Sequence, residues 1–144
     1  MSNKNKILKF KNKIFEKGLN LFACGDSSVF YPKYKGMMIV GNGGKKFWGF
    51  YTSTDYSTID SLVIDYLEKE LINSGFKRDS FQKGHPDSDN ERHPPLLKIS
   101  RHFNLSRPSI LGLDLNPTFG SWFGIRALFL FKEALPEIVP EPFQ

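Results

Sequence analysis

Between Leu115 and Phe131 the sequence reads LNPTFGSWFGIRALFLF, a run of aromatic and aliphatic residues with a single charge, Arg126. Successive side chains on a strand point to opposite faces. Strict alternation therefore puts Trp122, Gly124, Arg126, Leu128 and Leu130 on one face and Phe123, Ile125, Ala127, Phe129 and Phe131 on the other. Both faces are apolar, so this strand must be covered on both sides. That requirement demands a layered fold with the strand inside it. A buried guanidinium without a partner costs several kcal/mol. Arg126 therefore needs a carboxylate, a set of carbonyls or an anionic ligand. Asp114 is the nearest acid, but a turn centred on Thr118 places it opposite Trp122. At about 3.3 Å per residue, that is too far from Arg126 for contact. Two readings stay open: an internal ion pair with another carboxylate, and recognition of a ligand carboxylate or phosphate, to which the bidentate guanidinium is suited. Gly120 and Gly124 favour close approach by a ligand or another backbone.

The remaining elements follow from periodicity and punctuation. Residues 5–18 set Ile7, Leu8, Ile14 and Phe15 among lysines as one helical stripe, with Gly18 as its stop. Residues 19–36 read as loop with short extended pieces. MMIV at 37–40 reads as a buried strand ended by GNGG, and Phe47, Trp48 and Phe50 follow on a short helix. Ser57 to Ser74 carries Ile59, Leu62, Val63, Tyr66, Leu67, Leu71 and Ile72 at helical spacing, with Ser57 or Thr58 as cap, Asp60 in the first turn and Gly75 after the end. GHPDSDNERHPP at 84–95 is a polar loop, and Pro95 opens a helix that turns Leu96, Leu97, Ile99 and Phe103 inward. Ser109–Leu115 and Ser121–Phe131 read as a hairpin joined by NPTFG. The tail ALPEIVPEPFQ is extended, with no helix or strand of its own. The expected fold is α+β, a mixed, mainly antiparallel sheet with flanking helices. It divides into a basic amphipathic helix (1–18), a core (19–135) and a proline-rich tail (136–144).

Charge and cysteine content narrow the function. Of the 20 basic and 15 acidic residues, residues 1–17 hold six lysines and only Glu16, leaving 14 of each sign elsewhere. The neutral body makes a broad nucleic-acid surface unlike this chain. The basic helix reads as docked on the core, with an acidic membrane surface or nucleic acid as the other readings. No apolar run reaches the roughly 20 residues of a membrane span. A single cysteine, Cys24, fits a reducing, cytoplasmic setting and cannot hold an iron–sulfur cluster by itself. It reads as a small buried residue, with a nucleophile as the other reading. His85, Asp87, Asp89 and His93 match no zinc spacing, and no metal is expected there. His102 beside Arg101 reads as a basic surface pair. GNGGKK at 41–46 follows a strand and precedes a helix, as a phosphate cradle does. Yet Lys46 stands where a dinucleotide fingerprint needs glycine and where a P-loop needs Ser or Thr. A bare turn and an anion cradle of backbone amides helped by Lys45 and Lys46 both remain.

The run LGLDLNPTFGSWFGIRALFLF followed by LPEIVPE resembles a segment of the cobalamin-processing proteins of the methylmalonic aciduria and homocystinuria type C family. GNGG with Trp48 after a strand resembles bacterial ferredoxin-like proteins, and both groups are similar in fold to the nitroreductase-like flavoprotein scaffold. The resemblance is specific over 37–48 and 109–139. It implies a nitroreductase-like half and a bound cobalamin or flavin. It places Trp122, Phe123, Gly124, Arg126, Gly41, Asn42, Gly43, Gly44 and Trp48 at the cofactor, and Arg126 and Asn116 at an anionic cosubstrate. The family's histidine before proline is Asn116 here, so that imidazole's role is lost. A cysteine cluster in any continuation past Gln144 would restore an iron–sulfur expectation. No catalytic residue is assigned. Three functions follow: a cofactor-binding, redox-type domain; a non-catalytic interaction domain, dimeric in one form; and, weakest, nucleic-acid binding through the N-terminal lysines.

Overall fold

A computed structural model describes residues 2–84 and 95–140. Four helices and six strands run in the order α1 (Asn3–Glu16), β1 (Leu21–Asp26), β2 (Gly36–Gly43), α2 (Lys46–Thr52), α3 (Ile59–Asn73), β3 (Phe81–Lys83), α4 (Leu96–His102), β4 (Arg107–Pro108), β5 (Asp114–Leu115) and β6 (Phe123–Phe131). A 3₁₀ turn, Arg78–Ser80, precedes β3. The main sheet has the order β1-β2-β6-β3, and β4 and β5 form a separate two-stranded ribbon. Every pairing is antiparallel, so the α+β expectation stands and the sheet is antiparallel throughout the described residues rather than mixed.

Both faces of the sheet are covered. On one face Phe22, Cys24, Met38, Val40, Phe129 and Phe131 meet the buried sides of α1 and α3. On the other, Ala23, Met37, Ile39, Leu128 and Leu130 meet Ile99, Phe103 and Leu105 of α4 and the segment after it. Strand β2 is buried along its whole length. Met37 to Val40 are fully inaccessible, and each such side chain is worth about 1.5–3 kcal/mol relative to exposure. This accounts for the fused run of apolar residues in MMIV, because a two-sided strand has no polar face to show.

The helices start and stop on the signals in their sequences. Ser2 caps α1 by accepting from the amide of Asn5 at 3.2 Å. Thr58, not Ser57, caps α3, accepting from the amide of Ser61 at 3.1 Å. Gly18 and Gly75 follow their helices at φ +86° and +114°, where a Cβ is disfavoured. The inward face of α1 is Ile7, Phe10 and Ile14. Leu8 lies toward solvent, so the expected stripe is rotated by about one position. In α4, Leu97 is exposed, whereas Ile99 and Phe103 are buried. The amphipathic helix 1–18 contributes its buried side chains to the same core as the sheet.

Two expectations are corrected. Residues 21–26, expected only as a short extended piece within a loop, form a six-residue edge strand: pairing with β2 from Leu21↔Gly41 to Asp26↔Gly36 outweighs the local Gly and Asp content. The terminal hairpin is absent. Strand β6 lies between β2 and β3, β5 pairs with β4, and Asn116 and Gly120 close only an isolated bridge. The described part of the tail has no helix or strand of its own, as expected, and is tied down, since Ile138 exchanges two 3.0 Å hydrogen bonds with Cys24 on the edge of β1. Pro136 and Pro140 flank that bridge and have no N–H to extend it, a common way to close a sheet edge.

Candidate functional site

Two motifs far apart in sequence are neighbours in the sheet. Gly41, Asn42 and Gly43 pair with Ile125, Gly124 and Phe123. The register slips between Val40, opposite Ala127, and Gly41, opposite Ile125. Arg126 is therefore the extra residue of a β-bulge, which re-aims side chains locally. The slip reverses the expected facing. Arg126 reaches Trp48 on α2, on the α1 and α3 side, whereas Leu128 and Leu130 point to the opposite side. Phe123 and Ile125 pack with Leu128 and Leu130, away from Arg126. Of the resemblance-derived cofactor residues, Phe123 is thus separated from Arg126 by the sheet.

The Arg126 guanidinium is half-buried. Its Nε donates to Oδ1 of Asn42 at 2.6 Å, and its plane stands 5.5 Å from the centre of the Trp48 ring. Asn42 is itself buried, at 3% exposure, so it is a fixed acceptor. The guanidinium folds back over Gly124, where an added Cβ would stand 3.1 Å from Nη2. Among the described residues the ion pairs join Arg78 to Glu68 and Arg101 to Asp114, and neither engages Arg126. Its Nη1 and Nη2 donate to no described residue. Burial lowers the Arg126 pKa from its ordinary value and the charge of Asp60 pulls it back; the group stays cationic at any physiological pH. Of the two answers open for Arg126, an internal ion pair is not formed within the described residues.

A second cation–ring contact involves Lys45, at the turn between β2 and α2. Lys45 Nζ lies 6.0 Å from the ring centre of Trp122, which is 55% exposed. Each of the two tryptophans therefore carries a cation over its ring, Arg126 over Trp48 and Lys45 over Trp122.

The GNGG segment is not an open cradle. Its first three residues lie inside β2. The amide of Gly43 donates to Oδ1 of Asn20 at 2.8 Å, the side-chain amide of Asn20 donates to the Gly43 carbonyl at 3.1 Å, and the amide of Gly44 donates to the Trp122 carbonyl at 3.1 Å. Neither amide is free for a phosphate. Phe119 lies flat over Gly43. Asn20 and Phe119 were not foreseen. No local pattern marks either one, since their roles arise only once β1, β2 and the 116–120 turn meet.

Asn116 does not face a ligand. It is buried, at 5% exposure. Its amide nitrogen donates to the Leu105 carbonyl at 2.7 Å, and its Oδ1 accepts from the amides of Thr118 at 2.9 Å and Phe119 at 3.0 Å. It pins the turn that holds Phe119 in place. Cys24 is buried, with Sγ donating to the Pro136 carbonyl at 3.3 Å, and burial pushes its thiol up to about 12. A thiolate nucleophile is not available there at neutral pH. His85, Asp87, Asp89 and His93 lie outside the described residues. His102 stacks edge-on against Phe30 and Phe103.

What the fold and this site define together is an α+β protein with an antiparallel sheet covered on both faces and a half-buried arginine held by Asn42 and Trp48. The chain matches no protein-family model and no curated protein. No described helix is long and apolar enough to cross a membrane.

Proposed function

We propose that this chain binds a flat, anionic small molecule at the Arg126 corner, with a corrinoid or a flavin as the cofactor class and a carboxylate or phosphate as the group held. The observation that carries the reading is the guanidinium itself. Arg126 is half-buried, fixed through Nε by Asn42, and leaves its terminal N–H donors without a described protein acceptor. Desolvating a cation and orienting it by one edge presents its other edge to an incoming anion. The donor set fits the anionic end of such a cofactor, and the exposed indole of Trp122 fits a ring face. Bound cobalamin or flavin would supply the redox chemistry; this chain's residues would hold and orient it. The nitroreductase-like relationship belongs to this same proposal.

The test is titration of the purified chain with hydroxocobalamin and with flavin mononucleotide, read by fluorescence of Trp48 and Trp122 and by thermal shift. Saturable binding weakened at least tenfold by Arg126→Met and less by Arg126→Lys supports the reading. No saturation by either ligand, or equal binding by Arg126→Met, overturns it.

A second reading, an interaction domain without chemistry, draws on Ile110 and Leu111, which are 102% and 81% exposed at the tip of the β4–β5 ribbon. With Leu113, 55% exposed in the same ribbon, they form a run of exposed aliphatic side chains, and contiguous exposed apolar patches are contact-site candidates. Sedimentation of the chain and of an Ile110→Ser/Leu111→Ser variant tests it: self-association that the variant abolishes supports it, and a monomer at all concentrations counts against it.

A further inference from the structure

A separate concavity lies at the other end of β6 from Arg126. The first turns of α1, the 3₁₀ turn and the exit of β6 border a cleft of about 410 Å³. Lys6, Lys77, Lys132, Asp79, Ser80 and Glu133 line it. Its lysines come from three segments and their chain positions are fixed. The carbon chain of Lys6 lies along Gly75, and its ammonium stands 5.4 Å from the centre of the Phe76 ring. The Lys77 carbonyl accepts from the amide of Ser80 at 3.0 Å and from its hydroxyl at 2.7 Å. The amide of Lys132 donates to the Ser80 carbonyl at 3.1 Å. Ser80 thus holds the two backbones from which Lys77 and Lys132 project. None of the three lysines forms an ion pair among the described residues, although Asp79 and Glu133 share the cleft.

We propose that this cleft binds a phosphate monoester carried on a hydroxylated body, with the phosphate on the lysines and the hydroxyls donating to Asp79 and Glu133. Charge and size set that class. Three ammonium groups against two carboxylates leave one net positive charge, enough to hold a phosphate but not to neutralise a polyanion. The carboxylates accept hydrogen bonds and donate none, so they suit hydroxyl groups and repel a second anion. The volume falls in the range of about 300–1,000 Å³ common to small-molecule sites. The cleft shares no residue with the Arg126 corner, so the two proposals stand or fall separately.

The probe is ribose 5-phosphate, followed by calorimetry and amide chemical shifts on the full chain, with ribose, inorganic phosphate and a single-stranded oligodeoxynucleotide alongside. Saturable binding of ribose 5-phosphate is expected, with shifts at Gly75, Ser80 and Lys132. Ribose should not bind, and inorganic phosphate should bind at least tenfold more weakly. Lys77→Ala/Lys132→Ala, both at exposed positions, should weaken the ester at least tenfold, whereas Arg126→Met should leave it unchanged. Asp79→Asn/Glu133→Gln should narrow the gap between the ester and inorganic phosphate. The proposal is overturned by absence of saturation, by shifts elsewhere, by loss of binding on Arg126→Met, or by tighter, steeply salt-dependent binding of the oligonucleotide, which would mark a polyanion surface instead.

Discussion

Replacing Asn116 tests whether the turn it pins is structural. Asn116→Ala removes three hydrogen bonds at once, to the Leu105 carbonyl and from the Thr118 and Phe119 amides. At roughly 0.5–1.5 kcal/mol net each, the loss comes to about 3 kcal/mol. The Leu105 carbonyl carries the largest share, because Leu105 is 1% exposed and water cannot easily replace the donor. Thr118 is exposed, so water recovers part of its share. For a chain of this size the shift is about 6–12 °C in melting temperature. Asn116→His should not rescue it. An imidazole nitrogen offers one lone pair where Oδ1 of Asn116 serves two amides. Calorimetry and urea unfolding of the parent and both variants measure this. A melting temperature of Asn116→Ala within about 2 °C of the parent would refute the clamp and reopen Asn116 as a ligand-facing residue.

Other outcomes follow from single contacts. Gly43→Ala places a methyl inside the Phe119 ring; overpacking of this kind costs about 1–3 kcal/mol, and pairing it with Phe119→Ala should recover part of the loss in a double-mutant cycle. The Arg101 hydrogen bond, then that of Ser106, holds the Asp114 carboxyl below its ordinary 3.8. A depressed folded pKa gives stability that is present above the unfolded value and lost as pH falls through the folded one. Unfolding free energy should therefore decline below about pH 4, and Asp114→Asn should flatten that acid limb in denaturant titrations from pH 2 to 7. Asp26, lowered by its hydrogen bond from the backbone amide of Ser28, contributes a slope of the same sign. Cys24 should resist alkylation in native buffer at pH 8 and react on adding urea, timed by mass spectrometry. Stoichiometric labelling of the folded chain within minutes would contradict its burial.

Helix positions were legible because local signals decide them. The cap at Ser57 or Thr58, the stops at Gly18 and Gly75 and the spacing of Leu62, Val63, Leu67 and Leu71 lie within a few residues of what they control, whereas the Ser2 cap, which lies before the expected start of α1 at residue 5, was missed. The core strands were legible for the opposite reason: MMIV and ALFLF are apolar on both faces and fit only an interior strand. Pairing was not legible. The turn at 116–120 exists, but its flanks do not continue it, because β6 gains more from β2 and β3, whose buried faces extend its own, than from Ser109–Leu115. Strand β1 was legible only as short extended pieces because Gly25 and Asp26 weigh locally against a strand that β2 imposes from 10 to 20 residues away. Asn20 and Phe119 had no signal at all, since each acts on Gly43 across the fold.

The one-residue bulge decides what Arg126 can do. With strict alternation its side chain would enter the face lined by Leu128, Leu130, Ile99 and Phe103, where the buried polar side chains of α4 and the segments after it, Ser100, Ser106 and Asn116, carry no charge. A cation there would need a carboxylate or would unfold the layer. The slip between Val40 and Gly41 turns it instead toward α2, beneath Trp48 and beside Asn42. Asn42 can reach Nε only because Gly124, its cross-strand partner, leaves room for the guanidinium to fold back. The apolar run tolerates its one charge because bulge, glycine and asparagine together move that charge from the core to the core's edge. The same three features fix one side of the guanidinium and leave the other open. Asn42, a neutral amide, orients the guanidinium without neutralising it, and Asp60 is the acidic charge that favours its cationic form.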